Sequence, residues 1–230
     1  MTRVAMGLLL VLLGVFSAAA TPAQEEGEEV RRPRVLLLAD NSFQSIHGNV
    51  AKALGERAEV VRSNLGHLHT GAALARLDEV LQGTDWDGIV FNFGLADLMH
   101  RDPRTKQLRA MSPKAGGVPV TTPERYAENL DAWVPLLRAT GAELLWTTTL
   151  PLSSRTRSTA IAPDSLATYR AVALERMQHH AVPVLDTHAQ IVDALAEAEN
   201  DRQRERMHND LLKTDLSGPL VARLAALLAD

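Results

Sequence analysis

Short apolar runs separated by segments of helical length constrain the fold of this chain more than any other feature. Residues 35–39 and 88–91 contain no polar side chain, which is typical of strands buried on both faces. Strands are predicted over residues 35–39, 58–62, 86–93, 142–149 and 182–185. Because these strands alternate with predicted helices, we expect an α/β fold. It would be a single-domain, three-layer α/β/α sandwich with helices on both faces of a parallel sheet.

Helices are predicted between these strands from apolar periodicity and from their start and stop signals. One begins at a capping box formed by Thr121 and Glu124, with Pro123 inside the first turn, and ends near Gly141. The others are predicted over residues 48–54, 71–81, 164–180 and 217–228. The segment 100–118, rich in Arg, Lys, Pro and Gly, is predicted to be a long loop.

The N-terminal residues have the pattern of a secretory signal peptide. Arg3 precedes an apolar run over residues 4–16, and small residues follow at 17–20. We expect a signal peptide over residues 1–23, cleaved after Ala20 or Ala23. The apolar run is short for a bilayer span, so a membrane anchor is the weaker alternative. A periplasmic or secreted location follows, with no membrane anchor after cleavage.

Composition limits the remaining chain to one exported globular domain. Residues 24–33 carry four glutamates and no apolar periodicity, which predicts an acidic linker before a domain over residues 34–230. The chain has no cysteine, so neither a disulfide nor a lipid-attachment thiol is available. The net charge of −4 and the absence of a basic, aromatic stripe argue against a nucleic-acid partner.

A block of residues after the predicted strand 86–93 lies where open α/β sheets carry their sites. This block, from Asn92 to Leu98, follows a first block at 35–42 and a second at Asn64-Leu65-Gly66. In order and spacing these blocks, together with 126–130 and 146–151, resemble the SGNH (GDSL-type) hydrolases. The resemblance implies a flavodoxin-like sandwich, ester (O-acyl or O-acetyl) hydrolysis and no cofactor.

Three positions depart from the pattern that this resemblance implies. Asn41 stands where the family has its nucleophilic serine, and an amide is a poor nucleophile. Ala96 stands where the family has an asparagine, or in one branch a histidine, and a methyl group donates no hydrogen bond. Lys213 stands where the family has its catalytic histidine, and a lysine with a pKa of about 10.4 is protonated at neutral pH. The resemblance therefore predicts a catalytically degenerate member.

An active serine esterase remains the alternative. Ser42 would be its nucleophile after a shift of one residue, although such a shift rotates a helical side chain by about 100°. His208, with Glu205 three residues before it, or Lys213 would be the base, and Asp210 is the retained family aspartate. Ser42 also has the simpler interpretation of a helix-capping hydroxyl.

The remaining family-like residues of the blocks are expected at or near the cleft, where they either bind a ligand or brace the loops. These residues are Asp40, Gly66, Asn92, Gly94 and Asp97. A glycan or an acyl-ester ligand would suit the family resemblance. His67 and His69 share a face if the segment is extended and would supply half of a metal site. The sequence offers no third ligand, so no metal is expected.

Overall fold

The computed structural model describes residues 31–105, 108–152, 158–214 and 217–228. All elements below belong to the compact unit formed by residues 32–230. The predicted signal peptide lies outside the described residues, as does most of the predicted acidic linker. No helix in the described part of the chain is long and apolar enough to cross a membrane.

Five parallel strands form the central sheet, and two short antiparallel strands form a separate ribbon. In chain order the strands are β1 Arg34–Ala39, β2 Glu59–Arg62, β3 Gly88–Asn92, β4 His100–Arg101, β5 Val118–Pro119, β6 Glu143–Thr147 and β7 Val184–Leu185. The order across the central sheet is β2-β1-β3-β6-β7, and β4 pairs with β5. This is the flavodoxin-like order, so the predicted fold class is confirmed.

Helices cover both faces of the sheet and give the molecule three layers. They are α1 Gln44–Leu54, α2 Thr70–Leu74, α3 Asp78–Leu81, α4 Pro123–Arg138, α5 Ser165–His179, α6 Thr187–Leu195, α7 Asp201–Thr214 and α8 Ser217–Leu227. Side chains of a strand point alternately to opposite faces. Leu36 and Leu38 of β1 therefore join one buried cluster, which contains Trp133 of α4. Val35 and Leu37 join the other, which contains Ile46 of α1. Burial on both faces explains the unbroken apolar runs.

Several boundaries differ from the sequence predictions, and each difference has a physical reason. The helix predicted over 71–81 is split into α2 and α3, because the chain turns between them while keeping Ala73 and Leu77 buried. Helix α4 is capped by Thr122, whose hydroxyl accepts a hydrogen bond from the Arg125 N–H at 3.2 Å. The cap therefore lies one residue later than the box predicted at Thr121.

Two helices and one ribbon were missing from the sequence predictions. Helix α6 is short, and helix α7 begins with a highly charged stretch that shows little apolar periodicity. The predicted loop 100–118 contains β4 and β5, together with a 3₁₀ turn at Pro113–Ala115. Strands of two residues carry too little sequence pattern to be recognised.

Candidate active site

The carboxyl ends of the strands bring the predicted site residues to one edge of the sheet. Strand β1 leads into Asp40, Asn41 and Ser42, and β3 ends at Asn92 and continues to Gly94 and Asp97. The sharp exit from β1 is a 3₁₀ turn over Asn41–Phe43 that runs directly into α1. This edge is where parallel sheets place ligands, so it stays the candidate site.

Asp40 is the centre of the hydrogen bonding at the end of β1. Its Oδ1 accepts the Ser42 N–H at 2.9 Å and also a hydrogen bond from the Ser42 hydroxyl. Its Oδ2 accepts the Leu95 N–H at 3.3 Å, which ties the β1 turn to the loop after β3. An aspartate that accepts the N–H two residues on stabilises a turn. Asp40 is thus the residue that caps this turn, and the Ser42 hydroxyl donates to it.

Burial raises the pKa of Asp40 from 3.8 to about 6, against the opposing hydrogen bonds from Ser42 and Leu95. The nearby charge of Asp97 acts in the same direction as burial. The folded chain therefore binds this proton more tightly than the unfolded chain does. The resulting stabilisation is complete below about pH 4 and is lost as the pH rises through about 6. The difference between the two pKa values corresponds to about 3 kcal/mol.

Gly66 brings the second block against the β1 turn. The Asn41 N–H donates to the Gly66 carbonyl at 2.9 Å. A Cβ on Gly66 would lie 2.4 Å from the Ala39 carbonyl oxygen and 3.2 Å from Asn41 Oδ1. Only a residue without a side chain fits this approach. The structure therefore brings Asn41 and Gly66 together, as the family resemblance implies, and the Asn41 residue is exposed to solvent.

Asn92 and Gly94 make buried contacts at the carboxyl edge of the sheet. Asn92 is fully buried, and its Nδ2 donates to the Thr147 carbonyl at 2.6 Å. This bond joins the ends of β3 and β6. A Cβ on Gly94 would lie 3.0 Å from Thr149 Oγ1 and 3.3 Å from the Tyr126 hydroxyl. Both residues thus have a packing role that is sufficient to explain their identity.

Asp97 is also buried, and its partners belong to the start of α2 and not to the cleft. Its two carboxylate oxygens accept the Thr70 N–H at 3.0 and 3.1 Å, and Oδ1 accepts the Thr70 hydroxyl at 2.6 Å. Asn129 of α4 donates to the same hydroxyl at 2.8 Å. Burial raises the pKa of Asp97, and the hydrogen bonds from Thr70 act against it. Asp97 therefore joins three elements of the structure.

Ala96 lines an open cleft beside this edge. The cleft has a volume of about 210 Å³ and is lined by His67, Ala96, Met99, His100, Arg101, Leu108, Ala110 and Val120. The Ala96 methyl group presents no hydrogen-bond donor there. The residues predicted by sequence at or near the cleft were Asp40, Gly66, Asn92, Gly94 and Asp97, and none of them is among the described residues that line it. Asp40, Asn92 and Asp97 are buried.

The predicted bases lie on α7. His208 is buried, and its Nε2 is 3.1 Å from the Pro151 carbonyl, so this nitrogen carries the proton when the ring is neutral. Its Nδ1 is buried and has no hydrogen-bond partner among the described residues. Asp210 is an exposed residue of the same helix. Lys213 also belongs to α7, but its side chain lies outside the described part. Among the described hydrogen bonds, none joins Ser42 to a histidine.

His188 is a titratable residue at the sheet edge that the sequence predictions missed. It follows β7 closely, and its Nδ1 donates to the Thr149 carbonyl at 3.0 Å. Burial lowers the pKa of His188, although the hydrogen bond to Thr149 acts against this. Two residues earlier, Asp186 Oδ1 accepts the Ala189 N–H at 3.0 Å and caps α6. The sequence feature that could have pointed to His188 is its position two residues after Asp186, an aspartate at the end of a strand.

His67 and His69, which would supply half of a metal site if the segment were extended, are placed apart from any metal cluster in the described part of the chain. His67 Nδ1 lies 3.1 Å from the Asn64 carbonyl, and His69 precedes helix α2. Among the described residues, no group of three or more His, Cys, Asp or Glu side chains is placed to hold a metal ion.

Comparison with known proteins identifies the fold. No family model matches the chain, and no curated protein sequence matches it. Among solved structures, a lipase/acylhydrolase from Enterococcus faecalis is 15% identical, with 83% of this chain and 96% of that chain covered and a TM-score of 0.54. A GDSL-like lipase from Bacteroides thetaiotaomicron is 11% identical, with coverage of 84% and 89% and a TM-score of 0.55. An acetyl xylan esterase is 10% identical, with coverage of 79% and 99% and a TM-score of 0.54. The chain therefore has the SGNH-hydrolase fold.

Proposed function

We propose that this chain is an exported protein that uses the SGNH-hydrolase fold without ester hydrolysis. Its ancestry would lie in O-acyl or O-acetyl ester hydrolysis, and its cleft would bind a glycan or an acyl-bearing ligand. The proposal combines the position of the site at the sheet edge with the chemistry of the side chains found there. Export rests on the sequence pattern of residues 1–23.

The observation that carries the proposal is the hydrogen bond from the Ser42 hydroxyl to the carboxylate of Asp40. A serine nucleophile needs a base that accepts its proton and is itself held in place, and histidine usually fills that role. Here the hydroxyl belongs to a buried turn-capping network that includes the Leu95 N–H. This arrangement explains Asp40 and Ser42 as parts of a structural turn.

Two side chains at the site supply no hydrogen bond to an oxyanion. Preorganised donors at the developing charge supply the largest single share of the rate in acyl transfer. The side chain at position 96 is a methyl group, and the Nδ2 of Asn92 already donates to Thr147 at 2.6 Å. Neither of these two side chains donates into the cleft, so an oxyanion there would depend on backbone N–H groups.

His208 supports the same interpretation. Its Nε2 faces the Pro151 carbonyl at 3.1 Å, and the residue is only 4% exposed. A base must reach the proton that it removes, directly or through one water. The contact with Pro151 gives His208 a role in fastening α7 to the end of β6.

The proposed ligand class comes from the similar structures and from the cleft. The solved structures include an acetyl xylan esterase and lipases or acylhydrolases, so glycan and acyl groups are the ligands to test first. The cleft beside Ala96 is open to solvent and has a mixed lining of apolar and basic side chains. Such a cleft suits a small ligand that has both a polar and an apolar part.

An active esterase that uses Ser42 with His208 or Lys213 is the second candidate function. One observation favours a reactive Ser42: its partner Asp40 has a pKa of about 6 and is ionised above that pH. A carboxylate in that state is able to accept a proton from the hydroxyl. The two candidates predict different rates of ester hydrolysis.

The test is hydrolysis of p-nitrophenyl acetate and butyrate by the mature protein. Ser42→Ala and Lys213→Ala are the variants, and Ser112→Ala, which changes a serine in the 100–118 segment, is the matched control. We expect all four proteins to give the same background rate. A rate well above background that is lost in Ser42→Ala and kept in Ser112→Ala would establish the esterase. Circular dichroism would verify that each variant is folded.

Export is tested separately from activity. The full chain would be expressed in a bacterium, and the mass of the protein in the periplasmic and culture fractions would be measured. We expect a chain that starts after Ala20 or Ala23. An uncleaved chain retained in the membrane fraction would support the anchor instead.

A further inference from the structure

Basic residues are concentrated in the segment that borders the cleft. Residues 99–120 contain five of the 24 Lys and Arg residues of the chain and one of its 28 Asp and Glu residues. The whole chain has a net charge of −4, so this segment is opposite in sign to the rest. Clustered charge of one sign beside a cleft favours ligands of the other sign.

The segment is held by backbone hydrogen bonds. His100 and Arg101 of β4 pair with Pro119 and Val118 of β5. On the other side, the Met111 N–H donates to the His100 carbonyl at 3.0 Å. The His100 N–H donates in turn to the Ala160 carbonyl at 2.7 Å. These hydrogen bonds hold the backbone of β4 in place, and the side chains of β4 extend from it.

The single acidic residue of the segment is already paired. Arg104 makes two hydrogen bonds of 2.9 Å to the carboxylate of Asp102, and this pairing lowers the pKa of Asp102 to about 2. Arg101 has no carboxylate partner among the described residues, and its NH1 makes only a long contact of 3.5 Å with the Thr105 carbonyl. Arg101 is half-buried and lines the cleft.

The other residues that line the cleft are either histidines or apolar residues. The Nδ1 of His67 and the Nδ1 of His100 each lie 3.1 Å from a backbone carbonyl, so the Nε2 of each ring is not engaged by that contact. The other lining residues are apolar: Ala96, Met99, Leu108, Ala110 and Val120. A cleft of about 210 Å³ suits a small ligand.

We propose that this cleft binds a small organic carboxylate whose short apolar body packs on Ala96, Met99 and Val120 and whose carboxylate pairs with Arg101. The inference rests on the proposed function, because it names the ligand class of the same cleft. A guanidinium matches a carboxylate with two parallel hydrogen bonds. Partial burial of Arg101 strengthens such a pair relative to one in open solvent. The methyl group of Ala96 leaves space for the apolar body, where the resemblance implies a larger polar residue.

The test compares hexanoate with hexanamide, which has the same shape and no charge, by isothermal titration calorimetry on the mature protein. We expect hexanoate to bind at least about tenfold more tightly, because only its carboxylate forms a charge-assisted hydrogen-bond pair with Arg101. Arg101→Gln should weaken hexanoate binding by about tenfold or more. Arg109→Gln removes the same charge from an exposed residue of the same segment that does not line the cleft, and it should change binding less than about twofold.

A second variant separates the apolar part of the site from its charge. Ala96→Leu fills the cleft without altering any charge and should weaken hexanoate and hexanamide to the same degree. Absence of saturable hexanoate binding would overturn the proposal, as would equal losses in Arg101→Gln and Arg109→Gln. Equal binding of hexanamide by the wild-type protein would also overturn it.

The titrations, taken together with the ester-hydrolysis assay, distinguish this inference from the proposed function. Ester hydrolysis at the background rate without hexanoate binding would refute the carboxylate site. It would leave the proposed loss of catalysis unaffected. Ester turnover that depends on Ser42, together with hexanoate binding that depends on Arg101, would refute the loss of catalysis and retain the carboxylate site.

Discussion

Replacement of Gly66 by alanine tests the contact that joins the β1 turn to the second block. An added Cβ would lie 2.4 Å from the Ala39 carbonyl oxygen, a backbone atom that cannot move without shifting β1. The same substitution at Gly48, in the middle of helix α1, meets no atom within 4 Å. The two variants therefore make the same chemical change in opposite steric surroundings.

Packing and backbone entropy set the expected changes in the free energy of unfolding for the two variants. Overpacking of a well-packed site costs about 1–3 kcal/mol, and occasionally more. Gly48→Ala should instead stabilise the protein by about 0.5–1 kcal/mol, because glycine is unfavourable inside a helix. For a domain of this size, each kcal/mol shifts the midpoint of thermal unfolding by about 2–4 °C. We therefore expect the two melting temperatures to move in opposite directions.

Urea unfolding followed by tryptophan fluorescence measures both effects. Trp86, Trp133 and Trp146 are all buried, so unfolding should change their emission. We expect the urea midpoint to fall for Gly66→Ala and to rise for Gly48→Ala, with similar slopes. If Gly66→Ala were as stable as the wild type, the close approach of the second block to β1 would be refuted.

Three further substitutions test the buried polar groups. The unfolding free energy of the wild type relative to Asp40→Asn should fall by about 2 kcal/mol between pH 4 and pH 7, as urea titrations at each pH would show; a pH-independent difference would contradict the raised pKa. Asn92→Ala removes the 2.6 Å bond to Thr147 and leaves a buried carbonyl unpaired, so it should cost about 1–3 kcal/mol in the same assay. His208→Ala should lower stability and leave background ester hydrolysis unchanged, whereas a lower hydrolysis rate in a folded variant would assign it a catalytic role.

Much of the fold could be predicted from the sequence, since each buried strand leaves a direct signal. The runs at 35–39 and 88–91 are apolar because both faces of the sheet are covered. Helices α6 and α7 escaped prediction because one is short and the other is largely charged. Their position is fixed by packing against the finished sheet, which no local pattern encodes.

The site was predicted in part. The resemblance placed Asn41, Gly66 and Ala96 near one edge of the sheet, because motif order carries that information. It gave no indication that Asp40 would bind the Ser42 hydroxyl, since a difference of one residue in register decides where a side chain points. The cleft residue Arg101 lies in a segment whose sequence has no periodicity, so its approach to Ala96 depends on tertiary hydrogen bonds.

The most direct test of the central claim, that the β1 turn no longer carries a working nucleophile, is exposure of the mature protein to a fluorophosphonate followed by intact mass spectrometry. An activated serine would displace fluoride through its Oγ and retain the phosphonyl group. We predict no change in mass under conditions that fully label an active SGNH esterase. A stoichiometric adduct that peptide mapping places on Ser42, and that is absent from Ser42→Ala, would contradict the account.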